Sequence, residues 1–304
     1  MAKILVTGAS GFIGRHCLPA LQACGHDVHA VSKAKRLDTI TGVTWHNADL
    51  LQPDELRRLV EDTKPTHLLH LAWYAQPGKF WTAAENLQWV QASLELIQAF
   101  ASVGGQRMVV AGTCAEYSWR HAQARYSEST SLLAPSTLYG ASKHALHVTL
   151  EPFARQVGFT YAWARVFFPY GPYEDPQRLI AYAVRSMLQR EVVNFTHGRQ
   201  VRDLLYVEDV ASALVALLNS NVSGAVNIAS GEGVALKDVI HKVATRLNAR
   251  ELVRLDALAE RSDDPPMLVA DIGRLHDEVG FAPRYTLDAG IDKTIEWWKL
   301  QQAG

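Results

Sequence analysis

The chain of 304 residues sets 30 lysine and arginine against 31 aspartate and glutamate, with 48% hydrophobic and 20% charged residues. That balance excludes intrinsic disorder and a collagen-like fold, and leaves no basic excess that would make nucleic acid the main partner. Three scattered cysteines (Cys17, Cys24, Cys114), no CxxC and no bilayer-length apolar run predict a soluble cytoplasmic protein with no disulfide framework, no metal and no membrane partner.

In chain order, Ala2–Val6 reads as a buried strand and Phe12–Cys24 as a helix stopped by Gly25. Val28–Val31 and Val43–His46 read as strands, Asp54–Asp62 as a helix and His67–Leu71 as a strand. Asn86–Val103 is a long helix ended by Gly104-Gly105, followed by the strand Arg107–Ala111, the helix Leu138–Gln156 and the strand Thr160–Val166. Short apolar strands alternating with helices predict an α/β fold, a doubly wound parallel (Rossmann) sheet covered on both faces. Beyond Arg165 the pattern loosens, with prolines in Phe167–Pro176. Helices are then expected near Gln177–Gln189 and at Asp209–Asn219, Leu236–Leu247 and Asp288–Leu300, with strands near Val192–Phe195 and at Ala225–Ile228. The expected division is a dinucleotide-binding domain over 1–166, to which about 204–230 returns. A smaller, interleaved substrate domain would take 167–203 and 231–304.

Two local patterns carry chemistry. Thr7-Gly8-Ala9-Ser10-Gly11-Phe12-Ile13-Gly14 follows a strand and opens a helix. Gly8 permits the tight turn, Gly11 lets backbone approach a pyrophosphate, and Gly14 lets the helix pack on the sheet, whose free N–H groups then face the phosphates. Val31-Ser32-Lys33-Ala34-Lys35-Arg36 ends the second strand without the carboxylate that holds the ribose hydroxyls of NAD. Ser32, Lys33 and Arg36 suit a 2′-phosphate, so NADP(H) is favoured and NAD(H) remains possible. Asp49 and Leu50, after the third strand, are placed for the adenine side, though Asp49 can equally cap a helix. The second pattern is Tyr139-Gly140-Ala141-Ser142-Lys143, which puts a phenol and an ammonium on one helix face. The ammonium, together with the positive charge of an oxidised nicotinamide, is expected to lower the phenol's pKa, and Thr113, at a strand's carboxyl end, supplies a hydroxyl for the reacting oxygen.

With these motifs the chain resembles the extended short-chain dehydrogenases/reductases of the NAD(P)-dependent sugar epimerase/dehydratase kind. His70-Leu71-Ala72, Asn86, Thr113…Tyr117, Tyr170-Gly171-Pro172, Arg202-Asp203 and Asn227–Gly231 carry the likeness further. The resemblance implies a nucleotide-diphosphate sugar as substrate, with Tyr139 as acid/base, Lys143 as its electrostatic partner and Thr113 holding the sugar oxygen. It further implies Leu71, Ala72 and Asn86 on the cofactor side, Arg202 and Arg261 at the substrate diphosphate, and a homodimer through the helices at 86–103 and 138–156.

Departures from the family pattern narrow the reaction. Family dehydratases carry Thr-Asp-Glu where this chain has Thr113-Cys114-Ala115, so dehydration is not expected. Cys114 lies one position early for the base of the family's epimerising reductases. Phe168 replaces an asparagine that touches the diphosphate, and Trp73, Tyr74, Phe80 and Trp81 belong to an unusual stretch, Leu71–Trp81, whose aromatics either wall a sugar pocket or pack under a loop. The expected function is an NADPH-dependent reductase of a nucleotide-linked 4-keto-6-deoxy sugar. The alternatives are an NAD-dependent nucleotide-sugar 4-epimerase and, behind both, a non-catalytic NADP-binding sensor.

Overall fold

The computed structural model describes residues 1–33, 37, 40–120, 123–260 and 264–303. Seven parallel strands form the main sheet: β1 (Lys3–Thr7), β2 (Asp27–Ser32), β3 (Thr44–Asn47), β4 (His67–His70), β5 (Arg107–Thr113), β6 (Thr160–Val166) and, after a detour, β10 (Gly224–Ile228). Their order is β10-β6-β5-β4-β1-β2-β3. The order reverses between β1 and β4, so the crevice for a ligand opens beyond the carboxyl ends of those two strands.

Helices cover both faces. On one, α1 (Gly14–Ala23) packs against α6 (Val207–Asn219) over Ile4, Val6, Val109 and Ala162. On the other lie α2 (Pro53–Thr63), α3 (Glu85–Ser102) and α4 (Leu138–Val157), over Leu5, Leu68, Met108, Val110 and Trp163. The helix ends follow ordinary chemistry. Pro53 opens α2 with Asp54 and Glu55 in its first turn, the Thr137 hydroxyl accepts the Gly140 N–H at the start of α4, and Gly158 ends α4 at φ 88°. Arg107, at the start of β5, donates to the carbonyls of Leu217, Leu218 and Val222, capping the end of α6.

The rest of the chain builds a second core. It contains β7 (Phe168–Tyr170), α5 (Leu179–Leu188), β8 (Val193–Asn194), β9 (Val201–Tyr206), β11 (Gly233–Ala235), α7 (Leu236–Arg246), β12 (Val253–Arg254), β13 (Met267–Leu268) and α8 (Leu287–Ala303). β9 is its hub, pairing with β7, β11 and β13. Asp203 of β9 is fully buried and accepts from the N–H groups of Ser230, Gly231 and Ala270 and from the Ser230 hydroxyl. Asp209 does the same for the N–H groups of Arg284 and Tyr285. Asp203, of the Arg202-Asp203 motif, and Asp209 therefore knit loops together. No helix of the described residues is long and apolar enough to cross a membrane.

Candidate active site

A cavity of about 460 Å³ opens at the reversal of the sheet. Its floor is the turn after β1. Gly8 sits at φ 67°, and a Cβ there would meet the Ala72 nitrogen at 2.8 Å; one on Gly14 would lie 2.2 Å from the Gly8 carbonyl oxygen. The turn is thus as tight as backbone allows, and α1 begins with no side-chain cap and no acid in its first turn. Such a bare, closely approachable helix N-terminus fits a pyrophosphate, and with it a dinucleotide. Gly11, Phe12, Ile13, Leu71 and Ala72 line the same floor. Ser10 and Ser32 join hydroxyl to hydroxyl at 3.0 Å, tying the turn to the end of β2. A second recess of about 410 Å³ is bounded by Lys33, Asp49 and Leu50. There Lys33 pairs with Asp49 at 2.6 Å, and Asp49 also accepts the Leu51 N–H. One cation expected to await a 2′-phosphate is therefore already engaged, and Asp49 serves as a turn cap. Arg36 lies outside the described residues.

The reactive wall comes from β5 and α4. The turn Cys114–Glu116 follows β5. Glu116, fully buried, accepts from the Thr113 N–H, the Trp163 indole and the Arg165 guanidinium. Gly140 lets α4 press onto that turn, since a Cβ there would lie 2.3 Å from the Ala115 carbonyl oxygen. The result brings Tyr139 within hydrogen-bond reach of the Thr113 hydroxyl. Burial pushes the Tyr139 phenol up to about 12, against the pull of that bond. Lys143, expected to lower the phenol together with an oxidised nicotinamide, is not among the groups that shift it here. Lys143 is itself buried, and burial pushes its ammonium down to about 7 while Glu116 pulls it back. Its Nζ donates to the Ala111 carbonyl at 2.7 Å. His70, pushed down to about 3 by burial, is a neutral imidazole between the Thr7 and Ser93 hydroxyls.

Trp73, Cys114, Phe168 and Arg202 line the cavity with Thr113, Tyr139 and Lys143. Burial pushes the Cys114 thiol up to about 12, so it keeps its proton and is no base. Arg202, expected at the substrate diphosphate, faces the cavity and also pairs with Asp264 at 2.5 Å. Two expected site residues are displaced. Tyr74 turns its hydroxyl to Gln76 and is not on the cavity wall. Asn86 is fully buried, its amide spent on the Phe80 and Ala83 carbonyls and the Trp73 indole, so it anchors a loop instead of facing a cofactor. Arg261 lies outside the described residues.

Phe80 and Trp81, the end of the aromatic stretch expected to wall a sugar pocket or pack under a loop, line the cavity, and so do Arg178 and Glu174, which the sequence reading did not single out. Phe80 and Trp81 contact the Tyr139 ring edge-on at 4.9 and 5.9 Å, and Arg178 lies over Phe80. Glu174 is 7% exposed, and its Oε2 has no hydrogen-bond partner among the described residues. Burial pushes this carboxyl up to about 8. No spacing in Tyr173-Glu174-Asp175-Pro176-Gln177-Arg178 marks Glu174 or Arg178 as facing a cavity. Behind the site, Glu116, His144 and His147 bring ligand atoms within 4.8 Å of one another, but a guanidinium already meets the carboxylate.

Residues 4–229 match the model of the NAD dependent epimerase/dehydratase family. The chain is 26% identical to the dTDP-glucose 4,6-dehydratase of Salmonella typhimurium, over 97% of this chain and 92% of that protein. Among solved structures it is similar to the UDP-glucose 4-epimerase of Thermus thermophilus in complex with NAD (26% identity, 98% and 99% coverage, TM-score 0.86). It is also similar to MoeE5 in complex with UDP-glucuronic acid and NAD (28% identity, 98% and 99% coverage, TM-score 0.86).

Proposed function

Because the chain belongs to the NAD dependent epimerase/dehydratase family, we propose that it interconverts a hydroxyl and a ketone at one carbon of a nucleotide-linked sugar and goes no further. The observation that carries this reading is the split at the end of β5. Thr113 and Tyr139 stand within reach of each other on the cavity wall, while the one acid of that turn, Glu116, is locked into the core by Arg165. Ala115 stands where an eliminating acid would be needed.

A nicotinamide dinucleotide on the Gly8–Gly14 turn would supply the hydride exchange. Thr113 holds the sugar oxygen and Tyr139 exchanges a proton with it. Lys143, one helical turn on from Tyr139, and the positive charge of an oxidised nicotinamide would together lower the phenol, which burial holds too high to ionise. Phe80 and Trp81 fix the phenol ring and exclude water. The catalytic wall belongs to a dinucleotide-binding unit of 1–166 with about 204–230. The remainder brings Phe168, Glu174, Arg178 and Arg202 to the substrate. Leu87 on α3 and Val148 on α4, 59% and 55% exposed, are the apolar side chains through which two copies would pair.

The NAD-containing epimerase relative supports 4-epimerisation with retained NAD. A second reading, reduction of a 4-keto-6-deoxy sugar by NADPH, is favoured by the carboxylate-free end of β2 at Ser32 and Lys33. Interconversion of UDP-glucose and UDP-galactose, and NADPH or NADH consumption with nucleotide 4-keto-6-deoxy sugars, separates the two. Tyr139→Phe should lower whichever activity is found by about 10²–10⁴-fold. Product lighter than the substrate by one water, or near-full activity in Tyr139→Phe, would refute the proposal.

A further inference from the structure

Lys143 is an ammonium on a buried wall, 2% exposed, and among the described residues one hydrogen-bond acceptor meets it. One carbonyl, that of Ala111, accepts from Nζ at 2.7 Å. The other close group is not polar: the Trp73 ring lies with its centroid 3.8 Å from Nζ. The indole is held in that pose from two sides. Its Nε1 donates to Asn86 Oδ1 at 2.8 Å, and its ring stacks on Trp89 at 6.3 Å. The Asn86 amide is fixed in turn by the Phe80 and Ala83 carbonyls at 2.7 and 2.8 Å.

We propose that Trp73 is a positioning residue for Lys143, its indole face keeping the buried ammonium charged and aimed along the cavity wall, with Asn86 as the latch that sets the ring. The proposal rests on reading Lys143 as the partner of Tyr139. A cation over an indole face is attracted by the ring's negative quadrupole, and the attraction is strongest where water is excluded. An ammonium has three donors. The carbonyl takes one and the ring covers a second direction, which leaves the remainder for a ligand oxygen. One loop thereby serves both members of the pair, because the same stretch lays Phe80 and Trp81 on Tyr139 and the Trp81 carbonyl accepts the Tyr139 N–H.

The titratable and charged groups around Lys143 are few. Glu116 comes from the turn after β5 and is paired with Arg165 of β6. His70 stands at the end of β4, and α3 presents Ser93, bonded to His70. Tyr139, His144 and His147 share α4, and Cys114 borders Tyr139. Burial lowers Lys143 to about 7 with Glu116 pulling the other way, and the ring's attraction adds to that upward pull. Removing the ring's attraction should lower it further.

The test is a pH titration of the lysine Cε resonances in full-length, cofactor-free protein carrying ¹³C-labelled lysine, with Lys143 assigned by its loss in Lys143→Met. The wild-type midpoint should fall near neutrality. Trp73→Phe, which keeps a weaker ring, should lower it, and Trp73→Leu should lower it by about one pH unit. A midpoint unchanged or raised in Trp73→Leu overturns the proposal and leaves Trp73 as a plain wall. If Trp73→Leu does not fold, the direction of the shift in Trp73→Phe decides. Because no turnover is involved, failure here is distinct from failure of the Tyr139→Phe test.

Discussion

Glu174 lets the energetics of the cavity be read without a substrate. Its carboxyl is buried, one oxygen lacks a partner among the described residues, and its pKa rises from 4.5 to about 8. Between those values the folded protein holds a proton that the unfolded chain has released. The folded state binds more protons there, so this group's stability contribution falls as pH rises through the window. At about 1.4 kcal/mol per unit, its cost grows from under ~1 kcal/mol at pH 5 to on the order of 4 kcal/mol at pH 8. Glu174→Gln keeps the shape and removes the titration. Urea unfolding of both proteins at pH 5, 6, 7 and 8 should show the variant gaining on wild type by roughly 3 kcal/mol across the series. Other titrating groups cancel in the difference. A gap that stays constant from pH 5 to 8 would refute the reasoning, because Glu174 would then be solvated or paired in the folded state. A cavity residue that lowers stability at neutral pH is a candidate for substrate contact.

Two further substitutions probe the frame. Gly14→Ala places a methyl against the Gly8 carbonyl, and all the atoms it meets are backbone. Overpacking of ~1–3 kcal/mol in the cradle should weaken calorimetric binding of NADH and NADPH about ten- to a hundredfold, and wild-type affinity would contradict the cradle's role. Glu116→Gln leaves Arg165, 1% exposed, without its carboxylate. A loss of about 3–5 kcal/mol in urea unfolding is expected, and a loss below ~1 kcal/mol would show that the pair is not what holds the Thr113 turn.

The main sheet was legible because its strands are apolar runs separated by helices of recognisable period, and β1–β6 and β10 stand where those runs predicted them. Gly8–Gly14, Thr113, Tyr139 and Lys143 were legible because each is tied to a strand end or a helix face, whose geometry follows from sequence spacing. The strands β8, β12 and β13 have two residues each, too short to show any period, and they were expected only in part or not at all. Glu174 was invisible for another reason. Followed by Asp175-Pro176, it reads as an exposed polar loop, and only the return of that loop over the cavity buries it. Asn86 shows the converse. It was singled out by family likeness, and its role is decided by carbonyls of the preceding loop, which no spacing rule locates.

The detour that separates β6 from β10 has a consequence for synthesis. When the ribosome has delivered residue 166, the sheet has a bare edge along β6, and Ala162 and Ala164 lack the cover of α6. The covering helix and edge strand arrive roughly 60 residues later, about 3–12 s at ordinary elongation rates. Arg107 waits through the same interval for the carbonyls of residues 217, 218 and 222. A nascent chain therefore passes through a stage with an open template for strand pairing, in which holding the chain back from its neighbours matters more than helping it fold.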